Sequence, residues 1–144
     1  MAVTLPTQGG DSGTWGTELN DFIKGSGMCY LGEASVTLNG TTKTTVYTVP
    51  TGKEAMIFAV LIHSPSATLA GGTDFDIGSG SSCDTWMDNV DLSQMVNTTD
   101  YRFLFSMARY TTEVAAATFG IKPVTGSTGA ATATMIVFGM EIDA

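Results

Sequence analysis

An unbroken run of eight apolar residues, Ala55 to Ile62, sits between two turn signals, Val49-Pro50-Thr51-Gly52 before it and Ser64-Pro65 after it. A run of that length fits a strand buried on both faces or a short core helix. Ile57, Phe58, Val60 and Ile62 are β-branched or aromatic, and with the Ser-Pro stop they favour the strand. After Leu69-Ala70-Gly71-Gly72, the segment Thr73–Gly78 alternates strictly, with Asp74 and Asp76 on one face and Phe75 and Ile77 on the other. That alternation predicts a half-exposed strand with both aspartates toward solvent. A central strand followed by an amphipathic one is the pattern of one layer of a sheet sandwich.

The remaining pattern repeats this theme. Ala34–Leu38 and Thr44–Val49 flank Asn39-Gly40 and read as a half-exposed hairpin. Asn89–Met95 is a short strand-like piece. In Tyr101–Met107 the side chains of Tyr101, Phe103 and Phe105 share one face. A short strand is expected around Ala117–Lys122, a turn-rich loop over Pro123–Gly129, and a long closing strand over Ala131–Ile142. About eight strands with a turn signal every 8–12 residues are the mark of a β-sandwich or barrel. The predicted fold is all-β, a jelly-roll-like antiparallel β-sandwich.

One segment departs from the β pattern. In Thr14–Lys24, Trp15, Leu19, Phe22 and Ile23 recur at i, i+4, i+7 and i+8, which is one stripe of a short helix. Lys24 in the last turn and Gly25 beyond it suit the helix dipole and a glycine cap. A helix this short is marginal alone, so its stripe must bury itself, either on its own β-domain or on a partner. Residues 1–13 are rich in glycine and poor in charge and read as an extended arm. Gly25-Ser26-Gly27 forms a hinge. The expected division is therefore an arm with one short helix over residues 1–27 and a β-sandwich over residues 28–144.

Composition supports a packed β-domain and narrows the partners. With 43% hydrophobic and 14% charged residues in 144, the chain is suited to bury a core. The net charge of −8 argues against nucleic acid and anionic membrane as partners. The longest apolar run is far short of a bilayer span, and Met1–Gly13 lacks the layout of a signal peptide. Cys29 and Cys83 have no metal-type spacing. Free thiols and a disulfide both remain open from sequence, and synthesis in a reducing host cytoplasm is expected.

Candidate chemistry is sparse. His63 is the single histidine, at the end of the central strand, and reads as structural. No nucleophile elbow, phosphate loop, dinucleotide fingerprint or zinc-protease motif occurs, so no catalytic residue, no cofactor and no metal site is assigned. Six aspartates (Asp74, Asp76, Asp84, Asp88, Asp91 and Asp100) lie in a stretch without lysine or arginine. Such carboxylates could hold calcium, but the remaining ligands of an EF-hand loop are missing. A carboxylate pair for sugar hydrolysis cannot be read from this spacing. Trp86 and Tyr110, near loops, are candidate stacking rings for a glycan, against the plainer reading that aromatics pack the core or an interface.

Two segments resemble a known family. Leu5–Ile23 is similar to the opening segment of tailed-bacteriophage virion proteins of the head-decoration (cement), head-fibre and spike type. The likeness is carried by Pro6, Thr7, Gly9, Gly10, Asp11, Thr14, Trp15, Gly16, Leu19 and Asn20 in a Pro-Thr-x-Gly-Gly-Asp-x-x-Thr-Trp-Gly-x-x-Leu-Asn pattern. Val49–Ser93 together with Phe119–Ile142 resembles the small β-sandwich of phage decoration and fibre proteins. Long fibres continue into a shaft and tip, whereas this chain stops after one sandwich and so looks more like a cement protein or short head spike. The resemblance implies a non-enzymatic structural protein at the capsid surface of the virion. It would associate with the major capsid protein and with itself as a homo-oligomer, expected to be a trimer. Leu5, Pro6, Trp15, Leu19, Phe22 and Ile23 are the expected capsid or inter-subunit contacts. The alternative is a short head or tail fibre or spike that binds a host-surface glycan through Trp86 and Tyr110.

Overall fold

The computed structural model describes residues 29–105 and 112–144. The expected arm, the helix expected over Thr14–Lys24 and the 1–27 side of the expected division lie outside those residues. Nine strands are described: β1 Cys29–Thr37, β2 Thr44–Thr48, β3 Lys53–His63, β4 Asp74–Gly78, β5 Met87–Val90, β6 Tyr101–Phe105, β7 Thr112–Glu113, β8 Thr118–Thr125 and β9 Thr132–Asp143. They form two antiparallel sheets, one ordered β1-β9-β3-β6 with β7 also on β3, the other β2-β8-β4-β5.

The order has a simple logic. β1 pairs with β9, β2 with β8, β3 with β6 and β4 with β5, as in one long hairpin of eight principal strands. Rolling that hairpin brings β9 onto β3 and β8 onto β4, which makes two sheets of four. This is a jelly roll, the double Greek key, and it bears out the expected fold class. The central run is a strand, and β3 pairs along nearly its whole length with β9.

Between the sheets lies one apolar core. Ile57, Val60 and Ile62 of β3 and Met135 and Val137 of β9 meet Phe75 and Ile77 of β4 and Phe119 and Ile121 of β8, all buried. The Trp86 and Phe119 rings pack edge to face at 5.9 Å between centroids. Two backbone positions depend on glycine. Gly52 turns the chain into β3 at φ 76°, where Lys53 N–H donates to the Pro50 carbonyl. At Gly139 a Cβ would collide with the Met56 carbonyl oxygen, so the crowded β3–β9 register shift needs a residue without a side chain.

Three expectations are corrected. Asn39-Gly40 does not close a hairpin, because β1 and β2 belong to different sheets and the dipeptide turns a corner between them. The two segments are half-exposed as expected: Val36, Leu38, Tyr47 and Val49 are buried, while Ser35, Thr37, Thr45 and Thr48 beside them are exposed. The strand expected to end at Lys122 continues through Pro123, which pairs with Phe75 of β4. Its pairing with β2 has ended at Ile121, so the missing proline N–H forgoes no ladder bond on that side. Asp76 lies on the outer face of its sheet, as the alternation requires, but it is only 8% exposed rather than turned to solvent.

Candidate functional site

The burial of Asp76 begins with a local irregularity in β5. Register runs Phe75↔Val90 and Ile77↔Met87, so Asp88 and Asn89 together oppose the single residue Asp76. This is a β-bulge, and Asn89 adopts φ 56°, a left-handed conformation that asparagine tolerates. The extra residue lets Met87 and Val90 both turn toward the core, while Asp88 stays exposed on the other side. The bulge thereby aims Asp88 at the face that already carries Asp74 and Asp76. One carboxylate oxygen from each of the three lies within 4.8 Å of the others.

The electrostatics are unfavourable as they stand. Oδ1 of Asp74 and Oδ1 of Asp76 are buried with no hydrogen-bond partner among the described residues. Burial first, then the facing Asp88 carboxyl group and the Asp74 charge, hold the Asp76 carboxyl above the ordinary carboxylate value, with the Asn89 backbone amide offsetting part of this. Lys122 stands opposite Asp76 in the register, yet its amine is given to the Ser81 carbonyl at 3.3 Å. Lys43 likewise serves carbonyls, donating to Gly80 and Thr118. Among the described residues no lysine or arginine is ion-paired with the three aspartates.

The outer face of the other sheet has the opposite character. Register places Tyr30 beside Phe138, Phe138 beside Ala59, and Ala59 beside Phe105 in one row across β1, β9, β3 and β6. The next row holds Glu33, Ile136, Leu61 and Phe103, apolar at three of its four positions. The Phe103 ring stands 4.6 Å from Phe105 and 6.0 Å from Phe138, centroid to centroid. Tyr101 is 69% exposed, Phe105 54% and Tyr30 53%, with Met140 and Ile142 also exposed along β9. A sandwich facing water on both sides would carry polar residues at these positions. A contiguous apolar patch of this kind marks an interaction surface.

The sequence-derived candidates fare unevenly. The six arm residues Leu5, Pro6, Trp15, Leu19, Phe22 and Ile23 lie outside the described residues, and so does Tyr110. Trp86 is buried in the core, and its Nε1–H donates to the Ile57 carbonyl at 3.2 Å, so its ring has no free face for a sugar. Cys83 is a buried free thiol facing the carbonyls of Gly78 and Gly120, and burial pushes it up from the ordinary thiol value. His63 Nδ1 lies 2.9 Å from the hydroxyl of the adjacent Ser64. A cleft of about 430 Å³ lies against the start of β6, lined by Asp91, Gln94, Asn97, Asp100, Tyr101 and Arg102 among others. The alternation of β6 foretold its aromatic face. The rest of the patch was signalled by β9, where Met135, Ile136, Val137 and Phe138 are apolar on both faces, something an antiparallel strand shows when both faces are covered.

No known protein family and no curated protein matches this chain. Among solved structures, a chain of the cyanophage Pam1 capsid asymmetric unit is similar to it, with a TM-score of 0.48 and 12% identity over 80% of this chain and 87% of that one.

Proposed function

We propose that this protein is a non-enzymatic structural component of a bacteriophage virion, a cement protein that decorates and stabilises the capsid as a homo-oligomer. The observation that carries the reading is the apolar outer face of the β1-β9-β3-β6 sheet, rimmed by Tyr30, Tyr101 and Phe105. Leaving such a face in water is costly, and a symmetric oligomer covers it with the same surface of neighbouring copies. The resemblance of Leu5–Ile23 to the opening segment of phage virion proteins supplies the second part: the arm, through Leu5, Pro6, Trp15, Leu19, Phe22 and Ile23, reaches the major capsid protein. Several arms on one oligomer gain avidity on a repeating lattice without strong contacts in any one of them.

Co-sedimentation of the purified chain with undecorated capsid shells tests the reading. The intact chain pellets with the shells, and Trp15→Ala lowers the bound fraction while the melting temperature of the β-domain stays unchanged. An equal loss of thermal stability would put Trp15 in the domain core, and failure of the intact chain to pellet would remove the capsid assignment. A second reading, a short fibre or spike that takes a host-surface glycan, draws on the cleft beside Tyr101, where an exposed ring stands among amide and carboxylate side chains. A glycan array without hits counts against it.

A further inference from the structure

We propose that Asp74, Asp76 and Asp88 form a binding site for a hard divalent cation of the calcium class, on the outer face of the β2-β8-β4-β5 sheet. Three features of the geometry point there. Oxygens from all three side chains converge within 4.8 Å, close enough for one ion to touch each. Asp76 is more than nine-tenths buried, and among the described residues neither its Oδ1 nor that of half-buried Asp74 has a hydrogen-bond partner. The β5 bulge spends an irregular residue, Asn89 at φ 56°, in a way that brings Asp88 to the other two.

An unpaired, buried carboxylate oxygen is costly, and one next to two further carboxylates is more so. A shared proton would relieve the Asp76–Asp88 contact but leaves the Asp74 oxygen without a partner. A cation satisfies all three groups at once, its attraction for each outweighing the repulsion among them. The donor set is all oxygen, which selects calcium, magnesium or manganese over zinc or copper. The nearby Cys83 thiol is already directed at two backbone carbonyls and stays out of the set. Calcium is favoured over magnesium because three carboxylates with exposed Asp88 at the rim make an irregular shell that water completes. Magnesium demands a near-ideal octahedron. Three ligands from the chain place the affinity in the weak class, with a dissociation constant on the order of 10⁻⁴ to 10⁻³ M. The site concerns a different face from the apolar one, and it stands or falls independently of the capsid reading.

The test is calcium titration of the full-length protein after stripping with EDTA, followed by calorimetry and by thermal melting. One calcium per chain is expected, with a rise in melting temperature of about 5 °C at ten times the dissociation constant. Magnesium at equal concentration gives less. Asp88→Asn abolishes the rise, as does Asp76→Asn, whereas Glu33→Gln, the same charge change on exposed β1 of the other sheet, keeps it. Asp88 is exposed, so the first variant remains informative should Asp76→Asn fold poorly. Absence of heat and of any melting shift up to about 10 mM calcium, well above the weak class, would overturn the proposal. Binding weakened as much by Glu33→Gln as by Asp88→Asn would reduce it to diffuse attraction by the net charge. A wild type indifferent to calcium beside an Asp88→Asn variant that melts higher in EDTA would make the cluster a proton-sharing carboxyl pair instead.

Discussion

The two sheets share one core but turn opposite surfaces outward. The β1-β9-β3-β6 sheet shows Tyr30, Leu61, Phe103, Phe105, Ile136 and Phe138, several of them touching ring to ring. The β2-β8-β4-β5 sheet shows Asp74, Asp76 and Asp88, with Lys122 across the register from Asp76. A sandwich needs its inner faces to match, and these do; nothing in folding requires the outer faces to differ. The difference therefore speaks of use. The first face is suited to being covered by protein and the second to facing solvent and ions. On the proposed reading, the apolar face is covered in an assembly while the acidic face stays in water.

That comparison can be broken most severely at what both faces share. Phe119→Ala removes the ring that packs on Trp86 between the sheets and should cost about 3–5 kcal/mol. Both outer surfaces should then be lost in a single cooperative melt. Two separate transitions by calorimetry would mean that the sheets fold as independent units. Next in size is a paired experiment on the two surfaces. Phe105→Ser, at a ring more than half exposed, should weaken self-association about tenfold or more in sedimentation velocity, with a melting temperature lowered by only a few degrees. Asp88→Arg, on the opposite surface, should leave self-association as it is. The reverse outcome would exchange the roles of the two faces.

A smaller effect concerns the link between the sheets. The Tyr47 hydroxyl of β2 donates to Glu141 Oε1 of β9 at 2.9 Å. Burial, then that hydrogen bond and the Glu141 charge, raise the Tyr47 hydroxyl well above its ordinary value of 10.0. The folded state therefore holds this proton more tightly than the unfolded chain does. The resulting stability is fully present below pH 10.0 and is lost as pH climbs from there toward the folded value. Melting curves at rising alkaline pH should fall more steeply for the wild type than for Tyr47→Phe. Equal slopes would show that the hydroxyl carries no such linkage. The smallest effect belongs to the Lys53–Asp143 pair, whose carboxylate side chain is 88% exposed. Lys53→Met should leave the melting temperature unchanged at moderate salt.

Much of this architecture was legible in the chain. The run Ala55–Ile62, the alternation of Thr73–Gly78, the shared face of Tyr101, Phe103 and Phe105, and the long closing strand all appear as strands where the pattern put them. They did so because side-chain alternation is a local property with a period of two. The all-β class follows from the same local information, as does the turn at Gly52; the nine described strands exceed the eight expected, the two-residue β7 having no signal of its own. The Asn39-Gly40 signal was also local, and it did mark a turn; what it could not carry was the identity of the strand beyond.

Strand partners were decided by tertiary structure alone. β1 finds β9 about a hundred residues later because rolling the whole hairpin buries more apolar surface than pairing with β2 would. The same holds for Asp76: alternation correctly put it opposite Phe75 and Ile77, yet its burial comes from a bulge in β5 and from the strands on either side of it. Trp86 read as a loop aromatic until the opposing sheet supplied the Ile57 carbonyl and the Phe119 ring that hold it inside. Sequence by itself determined which residues form strands and which faces those strands present. Only the tertiary structure decided what each face meets, because that depends on contacts between segments distant in the chain, which no local pattern encodes.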